Sequence, residues 1–207
     1  MCVGMEPTAS IRNEWGIPQL LPISAENIPS QLIPFRQRCQ PLDEVNAAVH
    51  FFLDDARFEC VWNRPNQALK TLSQYDFVLT PDFSLYHNMP LAYQLWNTYR
   101  SRWCGAFWQQ YGLQVIPTVS WSSAESYAFC FQGLPTRSQV AVSTVGVDLD
   151  KPLERYLFIA GFEEMVCKLE PSIVLCYGQL PHECRFSAEI REYPTRWDKI
   201  RNLQEAT

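Results

Sequence analysis

Ala47-Ala48-Val49-His50-Phe51-Phe52-Leu53-Asp54-Asp55 is a continuous apolar run that stops on two acids. A strand with one wet face alternates apolar and polar side chains. An unbroken run through Leu53 therefore reads as a strand covered on both faces, as in a parallel sheet. The same signature recurs downstream in Asp76-Phe77-Val78-Leu79-Thr80, closed by Pro81 and Asp82. It returns in Gln114 to Val119, in β-branched Val140 to Val145, and in Ile173-Val174-Leu175-Cys176-Tyr177 before Gly178.

Helical patterns fill the intervals. Arg64 to Ser73 carries Ala68, Leu69 and Leu72 on one side. After Pro90, the residues Ala92, Leu95, Trp96, Tyr99, Trp103, Ala106 and Phe107 recur at spacings of three and four until Gly112, which predicts a heavily buried helix. Ser122 and Glu125 form a Ser-x-x-Glu capping box that opens a short helix to about Phe131. Leu153 to Leu169 places Phe158, Phe162, Met165, Val166 and Leu169 on one face, and Pro171 ends it. In the polar tail, Glu189 to Tyr193 reads as one more edge strand. Strands alternating with helices predict an α/β fold with a mainly parallel sheet of about five strands and helices packed around it. The layer is either an open doubly wound sheet or an incomplete barrel.

Residues 1–45 contain Pro7, Pro18, Pro22, Pro29, Pro34 and Pro41 without periodicity and read as a proline-rich N-terminal arm. Trp15, Ile17, Leu20, Leu21, Leu32, Ile33 and Phe35 anchor it on the core. Residues 46–207 read as a single α/β domain. With 207 residues, 47% hydrophobic and 19% charged, the chain can bury a sizeable core, which excludes intrinsic disorder. A net charge of −5 gives no support to a broad nucleic-acid interface or an acidic-membrane face. No apolar run approaches the roughly 20 residues that cross a bilayer, and no secretory start is seen, so a cytoplasmic location without membrane contact is expected. Cys2, Cys39, Cys60, Cys104, Cys130, Cys167, Cys176 and Cys184 are scattered and read as free, mostly buried thiols. Cys176, His182 and Cys184 come nearest to a metal set but lack zinc spacing.

Parallel strands send their C-terminal ends to one rim, where ligands bind. The residues just past the strands include Asp54, Asp55, Asp82, Ser84, Ser120, Trp121, Ser143, Thr144, Gly146 and Tyr177. Adjacent acids on an extended chain point to opposite sides, so one of Asp54 and Asp55 faces the rim while its neighbour caps or pairs. Asp55 with Asp82 would form a carboxylate pair able to hold Mg²⁺ through oxygen ligands, or to divide acid and base roles. The competing role for each is a helix cap or turn former. Trp121 and Trp62 offer faces for a sugar or base, with core packing as the alternative. Ser143, Thr144 and Gly146 lie in Ser-Thr-Val-Gly-Val, a turn whose amides could meet a phosphate, but the P-loop lysine and a GxGxxG spacing are both missing. Arg100 and Arg102 lie away from the apolar stripe, which predicts a solvated face, with a phosphate or carboxylate partner as the alternative. His50 reads as a hydrogen-bonded core histidine.

Four stretches carry a likeness to a known family: Phe51-Phe52-Leu53-Asp54-Asp55 with Phe58-Glu59 and Trp62; Pro81-Asp82-Phe83-Ser84; Gly105 to Trp108 with Gln109; and Val115-Ile116-Pro117-Thr118-Val119-Ser120-Trp121. The chain resembles, from about Trp15 to Tyr177, the bacterial, phage and mobile-element proteins grouped as domain of unknown function 4417. The resemblance implies an intracellular prokaryotic or phage setting and a role in mobile DNA, and carries over no catalytic residue or cofactor.

Two functions follow from the residues. One is an enzyme acting on a phosphate- or sugar-containing substrate, with Asp55 and Asp82 as carboxylates. Asp54, Ser84, Ser120, Trp121, Ser143, Thr144 and Tyr177 would bind the substrate, with Mg²⁺ as a candidate cofactor. The other is a non-catalytic module of a phage or mobile element that holds a nucleotide, nucleic acid or protein. Its basis is the aromatic excess and the mixed tail, where Arg185, Arg191, Arg196, Lys199 and Arg201 alternate with Glu189, Glu192 and Asp198.

Overall fold

The computed structural model describes residue 7 and residues 9–24, 26–35 and 46–205. Cys2, Cys39 and Pro41 lie outside the described residues. Among the described residues seven strands run parallel: β1 (Gln31–Pro34), β2 (Ala47–His50), β3 (Phe77–Leu79), β4 (Val115–Ile116), β5 (Gln139–Ser143), β6 (Ile173–Tyr177) and β7 (Ile190–Tyr193). They form two sheets, β1-β2-β3-β4 and β5-β6-β7, each in chain order. Five α-helices among the described residues accompany them: α1 (Cys60–Asn63), α2 (Pro65–Leu72), α3 (Leu91–Gln110), α4 (Pro152–Leu169) and α5 (Arg196–Glu205).

The two sheets join beyond β4. Thr118 bridges Ala141 in parallel, the Ala141 amide donates to Pro117 O and the Val119 amide to Ala141 O, both at 2.8 Å. One core cluster draws on every strand: Leu32, Ala48, Phe77, Leu79, Ile116, Ala141, Ile173, Leu175, Tyr177 and Tyr193, together with Ile23 and Phe52. No helix residue belongs to this cluster, so the inner faces of the strands cover one another around a shared interior. Tyr193 from β7 donates its hydroxyl to Pro29 O, just before β1, at 2.6 Å. Of the two predicted architectures, the incomplete barrel is the one that forms.

Side chains alternate across the wall with the strand period of two. Ala48 faces inward and Val49 outward; Ile173, Leu175 and Tyr177 face inward and Val174 and Cys176 outward. The outward set of β2–β4 packs with α1–α3 around Phe51, Phe58, Trp103, Phe107 and Trp108. That of β5 and β6 packs with α4 around Phe158, Phe162, Met165 and Leu169. The strands β2, β3, β4 and β6 are buried throughout and β5 as far as Ser143, so both of their faces are dry, which is why these runs are continuously apolar, while β7 at the edge exposes Arg191 and Glu192.

Several expectations are corrected. The edge strand expected over Glu189 to Tyr193 forms as β7. Beyond the expected strands, the described residues add β1, which lies among prolines that hide its pattern. The run from Ala47 leaves the ladder at His50, and Phe51 and Phe52 stay buried beyond the strand end. The capping box at Ser122 does not form. A 3-10 turn runs over Ala124–Ala128 behind Ser123, whose side chain caps nothing, while Ser122 donates its hydroxyl to Gln94 Oε1 at 2.6 Å. Arg100 and Arg102 do not face solvent; both are buried on α3. Trp62 meets Trp96 and Trp103 edge-on at 5.4 and 5.2 Å between the helices, away from the rim. The polar tail also contains α5, beyond the edge strand expected there.

Candidate functional site

A cleft of about 760 Å³ opens at the C-terminal ends of the strands. Segments that follow β2, β3, β4, β5 and β7 contribute to its wall, together with Tyr177 at the end of β6 and Glu154, Leu157 and Phe158 of α4. Of the residues expected at the rim, Asp54, Asp82, Ser84, Ser120, Trp121, Ser143, Gly146 and Tyr177 line it. Asp55 and Thr144 do not.

The two adjacent acids divide their roles in the opposite sense to the expected one. Asp54 stands at the mouth, its side chain 80% exposed and paired with Arg57 at 3.1 Å across the 3-10 turn Asp55–Arg57. Asp55 turns away from the cleft and accepts from the Ser84 amide at 3.2 Å and the Ser84 hydroxyl at 2.9 Å. It ties the segment after β2 to the segment after β3. Thr144 likewise serves structure. Gly178, at φ +111°, lies so near that an added Cβ would sit 2.2 Å from Thr144 Oγ1, so the turns after β5 and β6 close on one another only with glycine there.

Asp82 is the carboxylate of the cleft floor. Ser120 donates its hydroxyl to it, joining the ends of β3 and β4. Burial pushes the Asp82 carboxyl up to about 6. The Ser120 hydrogen bond opposes this, the Asp55 charge reinforces it, and the Arg102 charge opposes it. Arg102 is buried beneath the same strand ends and donates to Thr118 O at 3.1 Å, Cys130 O at 2.8 Å, Gln132 O at 3.3 Å and Ser101 Oγ at 3.2 Å. Trp121 forms a wall. Its indole donates to Leu157 O at 3.2 Å, and its ring lies on Gly161 of α4, where a Cβ would come within 2.1 Å. Ser143 donates to Tyr177 O at 3.0 Å and accepts from the Val145 amide at 3.0 Å, so this turn is held by its own serine.

Tyr177 and Phe52 stack at 5.6 Å, and His50 lies 4.3 Å from Tyr177 below them. His50 Nδ1 accepts from the Phe52 amide at 3.2 Å, while Nε2 meets no partner. Burial, aided by the Lys199 charge, pulls His50 down to about 3. It is a neutral core histidine, hydrogen-bonded on one nitrogen only. Cys176 and Cys184 share the apolar cluster around α4, and burial raises both thiols. Among the described residues no group of three or more His, Cys, Asp and Glu gathers as a metal set. No helix among them is long and apolar enough to cross a membrane.

Sequence reasoning missed the wall supplied by α5. Thr195, Arg196 and Trp197 line the cleft, and Trp197 is 73% exposed at its mouth. The signal is Thr195-Arg196-Trp197-Asp198, a capping pattern. The Thr195 amide and hydroxyl donate to Asp198 Oδ2 at 2.9 and 2.6 Å, and the Asp198 amide donates back to Thr195 Oγ1 at 3.2 Å. Arg196 adds its amide to Tyr177 Oη at 3.1 Å.

Residues 9–194 match the family model described as Domain of unknown function (DUF4417). Two relatives, each named Gene 1 protein, come from Mycobacterium phages L5 and D29. They are 49% and 44% identical over 155 residues, 74% of this chain. The matched region spans 67% of the first relative and 57% of the second. No solved structure matches the chain.

Proposed function

The chain belongs to the DUF4417 family, and on that premise we propose that its rim cleft binds and transforms a phosphate- or sugar-containing small molecule, with Asp82 as the acid and base of the reaction. The observation that supports this most is Asp82 itself, a carboxyl on the floor of a 760 Å³ cleft and lifted to about 6 by burial. Near neutral pH such a group exchanges a proton readily in either direction, as general acid–base catalysis requires. Ser120 and Ser84 offer hydroxyls beside it, and Trp121 gives a flat wall for a sugar or base. Asp55, turned onto Ser84, acts in this reading as a positioning residue.

A second reading, a non-catalytic binding module of a phage or mobile element, draws on Trp197 and Arg196 at the cleft mouth. For either function the free thiols Cys60, Cys104, Cys130, Cys167, Cys176 and Cys184 support a reducing, cytoplasmic setting.

Thermal shift with Mg²⁺, Mn²⁺, nucleotides and sugar phosphates tests the choice. A ligand at about 100 times its Kd should stabilise the protein by about 2.7 kcal/mol, and Asp82→Asn should remove that gain. Stabilisation or turnover that survives in a folded Asp82→Asn protein rejects the enzyme reading. DNA binding that falls steeply with salt favours the second.

A further inference from the structure

We propose that Asn97 and Arg100, on the buried polar face of α3, are positioning residues that hold the segment from Asp82 to Met89 over the cleft floor and so control how much water reaches Asp82. That segment supplies Asp82, Ser84, Leu85, Tyr86, His87 and Asn88 to the cleft wall. It has no regular structure, so its carbonyls need donors from elsewhere. Gln94, Asn97 and Arg100 recur every third residue along α3 and supply them.

Asn97 uses both ends of its amide. Its Nδ2 donates to Ser84 O at 2.7 Å, and its Oδ1 accepts from Arg100 Nη2 at 2.6 Å. Arg100 is held by Glu59, which accepts two bonds from Nη1 at 2.7 and 2.9 Å, and by the Phe83 ring, 3.8 Å from the guanidinium carbon. Gln94 Nε2 donates to Tyr86 O at 3.0 Å and Met89 O at 2.8 Å, while its Oε1 accepts from Ser122 after β4. Three consecutive residues are thus each fixed by a different contact: Asp82 by Ser120, Phe83 by the guanidinium face, and Ser84 by Asn97 and Asp55. An apolar helix face would fill the same space without desolvating an arginine and two amides. What it could not do is hold irregular backbone at a set distance from β4.

The inference deepens the reading of the cleft as a ligand site, yet its test needs no ligand. In Asn97→Ala, amide exchange across residues 83–89 should quicken about tenfold while amides of β5 and β6 keep their rates. The Asp82 carboxyl, followed by carbon-13 NMR, should titrate lower, toward an ordinary carboxylate, as water reaches it. Arg100→Lys keeps a charge opposite Glu59 and loses the fork that reaches Asn97; it should give the same two changes and serves if Asn97→Ala does not fold. Uniform acceleration of exchange throughout the chain, or an Asp82 titration that does not move in either variant, overturns the positioning role. A moved titration in a protein that binds no probe upholds it and discards the ligand reading instead.

Discussion

The two long helices, α3 with 20 residues and α4 with 18, pack against the outside of the same parallel wall and bury opposite kinds of side chain. The buried positions of α4 are Phe158, Gly161, Phe162, Met165 and Leu169. Those of α3 include Gln94, Asn97, Thr98, Arg100, Ser101 and Arg102, ahead of an apolar C-terminal half. The difference follows from what each helix covers. The α4 stripe meets Val140, Val142, Val174 and Cys176, strand residues whose backbone is already paired within the sheet. The first half of α3 lies under the loops that leave β3 and β4, where carbonyls have no ladder to join. A helix that seals strands can be apolar, whereas one that seals the exits of strands has to bring donors.

The contrast can be broken most forcefully on the α4 side. Phe162 is fully buried, and Phe162→Ala should cost about 3–5 kcal/mol of unfolding free energy in denaturant titration, with the Asp82 titration unaltered. On the α3 side, Arg102→Met preserves apolar bulk but strands the carbonyls of Thr118, Cys130 and Gln132. A loss of about 2–4 kcal/mol is expected, together with a higher Asp82 titration because the opposing cation is gone. Met165→Leu, an equally conservative change on α4, should stay within about 1.5 kcal/mol and is the control.

The smallest effect per unit is in pH dependence. The folded state raises Asp82 from 3.8 to about 6, so the stability tied to its proton is present below pH 3.8 and lost as pH rises toward 6. His50 is lowered from 6.5 to about 3, so its stability is present above pH 6.5 and lost as pH falls toward 3. Between pH 4 and 6 the two slopes, each about 1.4 kcal/mol per pH unit, nearly cancel. In Asp82→Asn, stability relative to the unsubstituted protein should therefore rise with pH across this window. In His50→Asn, where Oδ1 can still accept from the Phe52 amide, it should fall. Parallel curves for all three proteins in urea titrations would rule out both shifts.

Much of the site was legible because strand exits are marked by where apolar runs stop. Asp82, Ser84, Ser120, Trp121, Ser143 and Tyr177 all reach the cleft, since parallel strands end on one side whatever their number. Asp54 and Asp55 show the limit of that reasoning. Alternation says that one turns in and one turns out, but the choice was made by Ser84, 29 residues away, which offers Asp55 an amide and a hydroxyl. Arg100 and Arg102 were misplaced for a related reason. A charge off the apolar stripe normally seeks water, and only the carbonyls and Glu59 brought over by other segments make burial tolerable. The strand β1 escaped notice because Pro29 precedes it and Pro34 ends it, and only pairing with β2 defines its four residues as a strand.

The order of residues alone settled that this chain forms apolar strands alternating with helices and that acids and hydroxyls gather where those strands end, because burial and periodicity are local properties of a side-chain pattern. Whether the layer stayed flat or curled, which acid faced the cleft and which polar groups could be buried were decided only in three dimensions. Each depends on a donor or acceptor supplied by a segment distant in sequence, and no local pattern records such a partner.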